Sequence, residues 1–178
     1  MNKKRSLILK IVVPVLIVVV IVGLYVIKNL PKESEKQQEI INQNPDFALT
    51  VTEPLDMDAL KAYGLPILIE FGSESCPPCQ QMVPVIEALN EELQGKAIIK
   101  YMDVWETPDW AEGYPLTVIP TQLFIDSKGN PYNPADPDVM DMLLYSMKDT
   151  GEHVYTTHEG IISKDDLLIV LKEMGMQE

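Results

Sequence analysis

Apolar and polar positions follow three different patterns along this chain. From Ile11 to Ile27 it reads IVVPVLIVVVIVGLYVI, seventeen residues without a charge, and Leu7, Ile8 and Leu9 extend the run past Lys10 to twenty-one. About 20 apolar residues cross a hydrocarbon core as a helix, and Lys10 can snorkel to the near headgroups. The pattern predicts a membrane-spanning helix over residues 7–27, within an anchor comprising residues 1–30. A cleavable signal has a shorter apolar region, about 7–15 residues, ending at small side chains; Tyr25-Val26-Ile27-Lys28 offers no such site. Residues 31–46 are polar and charge-mixed and close on Asn44-Pro45-Asp46, the composition of a stalk.

Beyond the stalk, residues 47–178 alternate short apolar runs with helical periods, the size of one domain. Phe47–Val51 is β-prone, and Asp56–Tyr63 is helical and ends at Gly64. Pro66–Phe71 is a nearly unbroken apolar run, as expected of a strand buried on both faces. Met82, Val85, Ile86, Leu89 and Leu93 recur at helical spacing between Cys76 and Gly95. Ala97–Val104 is a second buried strand, and Thr107-Pro108-Asp109 opens a short helix running past Trp110 to Tyr114. Gln122–Asp126 and His153–Thr157 are strands, and Ser163 caps a last helix with Leu167, Leu168, Val170 and Leu171 inward. Between the last two strands lies an insert, residues 131–151. Asp136-Pro137-Asp138 there marks a helix start, and Val139, Leu143 and Met147 form a stripe through Lys148. The order is β-α-β-α-β-α-β-β-α, an α/β fold with a central mixed sheet flanked by helices.

Charge adds direction. The net charge is −13, but residues 1–30 hold five basic side chains and no acid, leaving nine basic against 27 acidic in the remainder. The basic cluster Lys3-Lys4-Arg5 precedes the apolar run, so the positive-inside rule puts the N-terminus in the cytoplasm and the domain outside it. An acidic body argues against nucleic-acid binding, which needs clustered Lys and Arg. Two cysteines are too few for a multi-disulfide scaffold or a four-cysteine zinc site.

Those cysteines carry the chemistry. Cys76-Pro77-Pro78-Cys79 follows a buried strand and opens a helix. The i, i+3 spacing puts both sulfurs on one face of a turn, within disulfide reach. Unpaired N–H groups and the positive end of the dipole favour a thiolate on Cys76. Prolines at 77 and 78 are cheap there, because first-turn N–H groups have no intrahelical partner.

The segment FGSESCPPCQQMVPVIEAL resembles the active-site segment of the thioredoxin superfamily. Pro84 stands where that family has its helix-kinking proline, and Glu70 matches its buried acid. Ile119-Pro120-Thr121 resembles its cis-proline loop, and Gly160 its glycine beside the substrate groove. The resemblance implies a thioredoxin fold and a redox-active Cys76–Cys79 disulfide with no other cofactor. It makes Cys76 the nucleophile and Cys79 the resolving thiol. Glu70 is implied to exchange protons with Cys79 through the interior. Ile119, Pro120 and Thr121, with Pro77 and Pro78, are implied to meet an extended substrate. The chain departs from the family pattern at Ser75 and Gly72, which replace common aromatics, and at Pro77, which replaces a glycine. Tyr101 falls where many members pair a lysine with the acid, while Lys100 should face the other way.

The expectation is therefore a membrane-anchored, extracytoplasmic thiol-disulfide oxidoreductase that reduces disulfides in exported proteins. Its buried acid and single dithiol domain resemble the reducing branch, including membrane-tethered cytochrome-c-maturation reductases. Its implied partners are protein thiols and disulfides, the bilayer and a membrane dithiol electron donor. Rival readings are a disulfide oxidase or isomerase, and a copper-binding or redox-inert module. His153 and His158 alternate with Tyr155 on a strand, and a metal site with the cysteine pair would need all four ligands to converge. Nine methionines read mostly as core filler. Trp105, Trp110 and Tyr114 either line a groove near Pro120 or pack the short helix. The insert is either a docking element or a decorative helix on the sheet edge.

Overall fold

The computed structural model describes residue 20 and residues 44–177. The anchor apart from residue 20, and all but the last three stalk residues, therefore lie outside the described residues. Among the described residues no helix is long and apolar enough to cross a membrane.

Five strands form one sheet: β1 (Ile67–Gly72), β2 (Ile98–Asp103), β3 (Thr121–Ile125), β4 (Met142–Ser146) and β5 (His153–Glu159). Their order is β2-β1-β3-β5-β4. β1 and β2 run parallel, whereas β3 is antiparallel to β1 and β5 to β3. The helices are α1 (Met57–Ala62), α2 (Pro77–Glu92) and α3 (Lys164–Glu173). A parallel pair needs a crossover, which α2 supplies. The result is the thioredoxin-like arrangement that the resemblance implied, with every residue of β1 and β3 buried.

Burial on both faces requires two cores. On one face Leu68, Ile99 and Phe124 meet Met82, Ile86 and Leu89 of α2 and Leu167, Val170 and Leu171 of α3. On the other, Ile67, Ile69, Phe71, Ile98, Met102 and Leu123 meet Phe47 and Leu60, with Trp110 and Tyr114 packed against them. Each such side chain, fully buried, contributes roughly 2 kcal/mol. Trp110 and Tyr114 thus belong to packing: the Tyr114 ring lies 5.0 Å from Phe71 and 5.9 Å from Tyr155.

Two segments differ from the pattern expected of them. Phe47–Val51 forms no strand; it follows a 3-10 turn, Pro45–Phe47, capped by Asn44, and touches the sheet at one bridge, Thr50 to Tyr101. Side chains have taken its carbonyls. Lys100 Nζ donates to Pro45 O at 2.9 Å and Ala48 O at 2.7 Å, and Asn90 and Gln94 donate to Phe47 O at 2.9 and 3.1 Å. The insert contains no α-helix. Asp136 caps a 3-10 turn, Pro137–Met140, which stops at Asp141 with φ 50°, and the chain then enters β4. Pairing of Leu143, Leu144 and Tyr145 with β5 outweighs the helical spacing. The insert is therefore a fifth strand at the sheet edge, leaving Leu143 and Leu144 partly exposed. The Thr107–Tyr114 helix shrinks to a 3-10 turn, Pro108–Ala111, and Thr107 bonds back to Asp103 O instead of capping it.

Candidate active site

β1 ends at Gly72 and the chain turns through Ser73–Ser75 into α2. Cys76 is the N-cap residue of that helix, with φ −92° and ψ 112°, and its sulfur accepts the Cys79 N–H at 3.3 Å. Pro77 and Pro78 fill the first helical positions, where no backbone donor is needed, and both are exposed. Cys76 and Cys79 are joined as a disulfide with their Cα atoms 5.2 Å apart. Cys79 is wholly buried and Cys76 is 7% exposed, so only the first sulfur is open to a reactant. Pro84 lies inside the helix.

The loop before β3 comes to the same end of the sheet. Its Ile119–Pro120 peptide is cis, and the Ile119 carbonyl oxygen is 3.8 Å from the Cys76 sulfur. Buried Thr121 holds this loop by donating to Val118 O at 2.8 Å. The Gly160 N–H, at φ 101°, reaches Pro120 O at 2.8 Å. Val118, which precedes Ile119, Ile161, which follows Gly160, and Trp105, which follows β2, are large apolar side chains left exposed. Asp103 ties the segment after β2 to the turn before the cysteines, accepting the Trp105 N–H and the Glu74 N–H at 2.9 and 3.0 Å.

β1 and β2 also carry a polar pair, Glu70 and Tyr101. Glu70 is fully buried, and among the described residues neither of its oxygens has a hydrogen-bond partner. Burial pushes its pKa up to about 8, with Gln122 the only opposing influence. Tyr101 pairs with Glu70 in the strand register, and its hydroxyl is also unpartnered among the described residues. Burial first, then Asp103, Glu70 and Glu74, lift that hydroxyl to about 12. Gly72 makes room for the ring: a Cβ there would lie 3.0 Å from Tyr101 Cε2 and 3.4 Å from Cys79 Cβ. Lys100 faces the opposite side, as expected.

The structure brings Cys76, Cys79 and the Ile119–Pro120 loop together, with Pro77 and Pro78 opening the cysteine helix, Thr121 bonded back to Val118, and Glu70 buried on β1 two residues before Gly72. Sequence reading missed Gln122, a buried amide between Glu70 and His158 in the register. The signal was available: Glu70, Gln122 and His158 are polar residues in strand segments whose length and flanks predict burial. His153 and His158 do not converge. His153 Nε2 lies 2.9 Å from Tyr155 O and 2.8 Å from Thr156 Oγ1, and His158 Nδ1 lies 2.6 Å from Gln122 Oε1. Among the described residues no cluster of three or more His, Cys, Asp or Glu is arranged to hold a metal.

Against known proteins, the thioredoxin family model matches residues 47–148. A thioredoxin of Rickettsia conorii is 39% identical over 57 residues, 32% of this chain and 54% of that protein. One from Chlorobaculum thiosulfatiphilum is 43% identical over 74 residues, 42% of this chain and 63% of that protein. The chain thus spans under two thirds of the length of these curated relatives. A thioredoxin of Rickettsia bellii is 31% identical over 77 residues, 43% of this chain and 73% of its own length. In fold, a mutant thioredoxin from Halobacterium salinarum superposes with a TM-score of 0.51 at 22% identity, over 76% of this chain and 96% of that one.

Proposed function

The chain belongs to the thioredoxin family, and from that premise we propose that it is a thiol-disulfide oxidoreductase acting through Cys76 and Cys79. Thioredoxins work without a cofactor, through a redox-active cysteine pair. The observation that carries the reading is the Cys76–Cys79 pair at the start of α2, its open sulfur 3.8 Å from the Ile119 carbonyl.

In the reduced protein, the Cys76 thiolate attacks one sulfur of a substrate disulfide, forming a mixed disulfide and releasing the other sulfur as a thiolate. Cys79 then attacks the Cys76 sulfur, restores the Cys76–Cys79 bond and expels the second substrate thiolate. Two electrons have moved from the protein dithiol to the substrate. The proton leaving Cys79 goes to Glu70, whose elevated pKa suits it to hold and return one near neutrality. Ile119 pairs through its backbone with an extended substrate segment, while Pro120, Thr121, Pro77 and Pro78 shape the ledge it lies on.

We further propose that residues 7–27 anchor the protein in a membrane, that residues 31–46 are a stalk, and that the domain works outside the cytoplasm on exported proteins. The apolar run, the basic cluster before it and the acidic domain after it support this. Re-reduction then requires a membrane partner that relays a dithiol. The test is Cys79→Ser in cells: mixed disulfides through Cys76 are expected in the membrane fraction, with the domain open to protease from outside. Absence of any trapped species would overturn the enzyme reading. A soluble, protease-shielded protein would overturn the anchor.

A further inference from the structure

Four residues on four neighbouring strands stand in one row across the face of the sheet covered by α2 and α3. Tyr101 pairs with Glu70, Glu70 with Gln122, and Gln122 with His158. The dithiol steps above use Glu70 alone. Gln122 is fully buried and His158 is 8% exposed, and polar groups so placed are costly to bury unless they are hydrogen-bonded.

The donors along this row can be assigned. A carbonyl oxygen only accepts, so the Gln122 atom 3.1 Å from Gly160 O is its amide nitrogen, Nε2. The amide oxygen is then the atom 2.6 Å from His158 Nδ1, and it too only accepts. His158 therefore carries a proton on Nδ1 in both ionisation states, and Nε2 is the nitrogen that titrates. Gly160 in turn donates to Pro120 O at 2.8 Å. The bonds run in one direction, from His158 through Gln122 and Gly160 to the residue that follows Ile119.

We propose that His158 and Gln122 are positioning residues for the dithiol reaction, a clamp that fixes Gly160 and the Pro120 loop at the spacing an extended substrate needs beside Cys76. The inference rests on the oxidoreductase reading and adds the residues that set its docking edge. His158 borders a cavity of about 250 Å³ shared with Asp141 of the turn before β4, and with Ser163 and Asp166 at the start of α3. Burial lowers its pKa, while Asp141, Asp166 and Glu159 of its own strand raise it. Protonation at Nε2 makes Nδ1–H a charge-assisted donor, so the clamp tightens as pH falls through the range of this histidine.

The test compares His158→Leu, His158→Asn and Gln122→Leu in the full chain, pre-reduced with dithiothreitol. Insulin serves as the extended substrate and Ellman's reagent as a small disulfide that needs no docking edge. Loss of one such hydrogen bond should raise KM for insulin about fivefold in the two leucine variants, with a much smaller effect on Ellman's reagent. His158→Asn offers an amide donor near the position of Nδ1, so it should recover most of KM but lose the fall in KM at lower pH. A wild-type KM in His158→Leu would overturn the clamp, as would equal damage in the asparagine and leucine variants. Nitrogen-15 spectra of wild-type His158 should show protonated Nδ1, and the Nε2–H tautomer would overturn the hydrogen-bond direction. If the wild type reduces neither substrate, the oxidoreductase reading falls. The clamp is then still decided by that spectrum and by the Gly160 amide, which should exchange about fivefold faster in His158→Leu.

Discussion

Glu70 and Lys100 are both buried ionisable side chains on adjacent strands, yet they do opposite things. The register pairs Lys100 with Ile69 and Glu70 with Tyr101, so the two point to different faces of the sheet. Lys100 finds two carbonyl oxygens, Pro45 O and Ala48 O, and fastens the segment that holds them. Glu70 finds no hydrogen-bond partner among the described residues, and burial leaves it protonated near neutrality. A buried polar group with all its bonds made is a fastener, whereas one left without them can take up and return a proton. The difference between Glu70 and Lys100 is thus one of satisfaction, since Gln122 and His158, on the same face as Glu70, have their partners too.

The largest expected effect tests the Glu70 side. Its pKa is about 8 when folded, against an ordinary 4.5. The stability gained from a neutral Glu70 is fully present below the lower value and is lost as pH rises toward the upper one. Between them the loss is about 1.4 kcal/mol per pH unit. Urea unfolding at pH 5 and pH 8 should show that slope in the wild type and a flatter one in Glu70→Gln. Equal slopes would mean that Glu70 is ionised in the fold.

Next is Lys100→Met. Its loss leaves the Pro45 and Ala48 carbonyls without their donor and should cost about 2–3 kcal/mol at neutral pH. Reduction of a small disulfide should stay within twofold of wild type, and a loss of activity larger than that would erase the contrast between Glu70 and Lys100. Gly72→Ala puts a methyl group against the Tyr101 ring and Cys79. It should cost about 1–3 kcal/mol by calorimetry, partly recovered in Gly72→Ala with Tyr101→Leu. Full additivity of the pair would refute the shared volume. Smallest is Tyr101→Phe: removing an unpartnered hydroxyl should stabilise the fold by about 1 kcal/mol or less, and destabilisation would reveal a partner.

Much of this was legible in the residues, for reasons that differ by position. β1, α2 and the Cys76 cap could be read because their signals are local: an apolar run, a helical period, prolines where no donor is needed. The opposed directions of Lys100 and Tyr101 followed from strand alternation. Phe47–Val51 and the insert could not be read that way. The first lost its ladder to Lys100, Asn90 and Gln94, which come from distant parts of the chain. The second carried a helical spacing that pairing with β5 overrode after Asp141. Gln122 can be read as a buried polar residue, but not its partners, because they come from two strands that meet on either side of it.

The short segment before α1 also has a mechanical consequence. Residues 44–48 are held by Asn44 to Tyr63 at 2.7 Å, Tyr63 to Asp46 at 2.7 Å, Asn90 and Gln94 to Phe47 O, and Lys100 to two carbonyls. Tension applied to the chain ahead of residue 44 is borne first by these bonds, on α1, on the far end of α2 and on the Lys100 face of β2. Under load the domain should yield there by peeling, with the cysteine end of the sheet still closed.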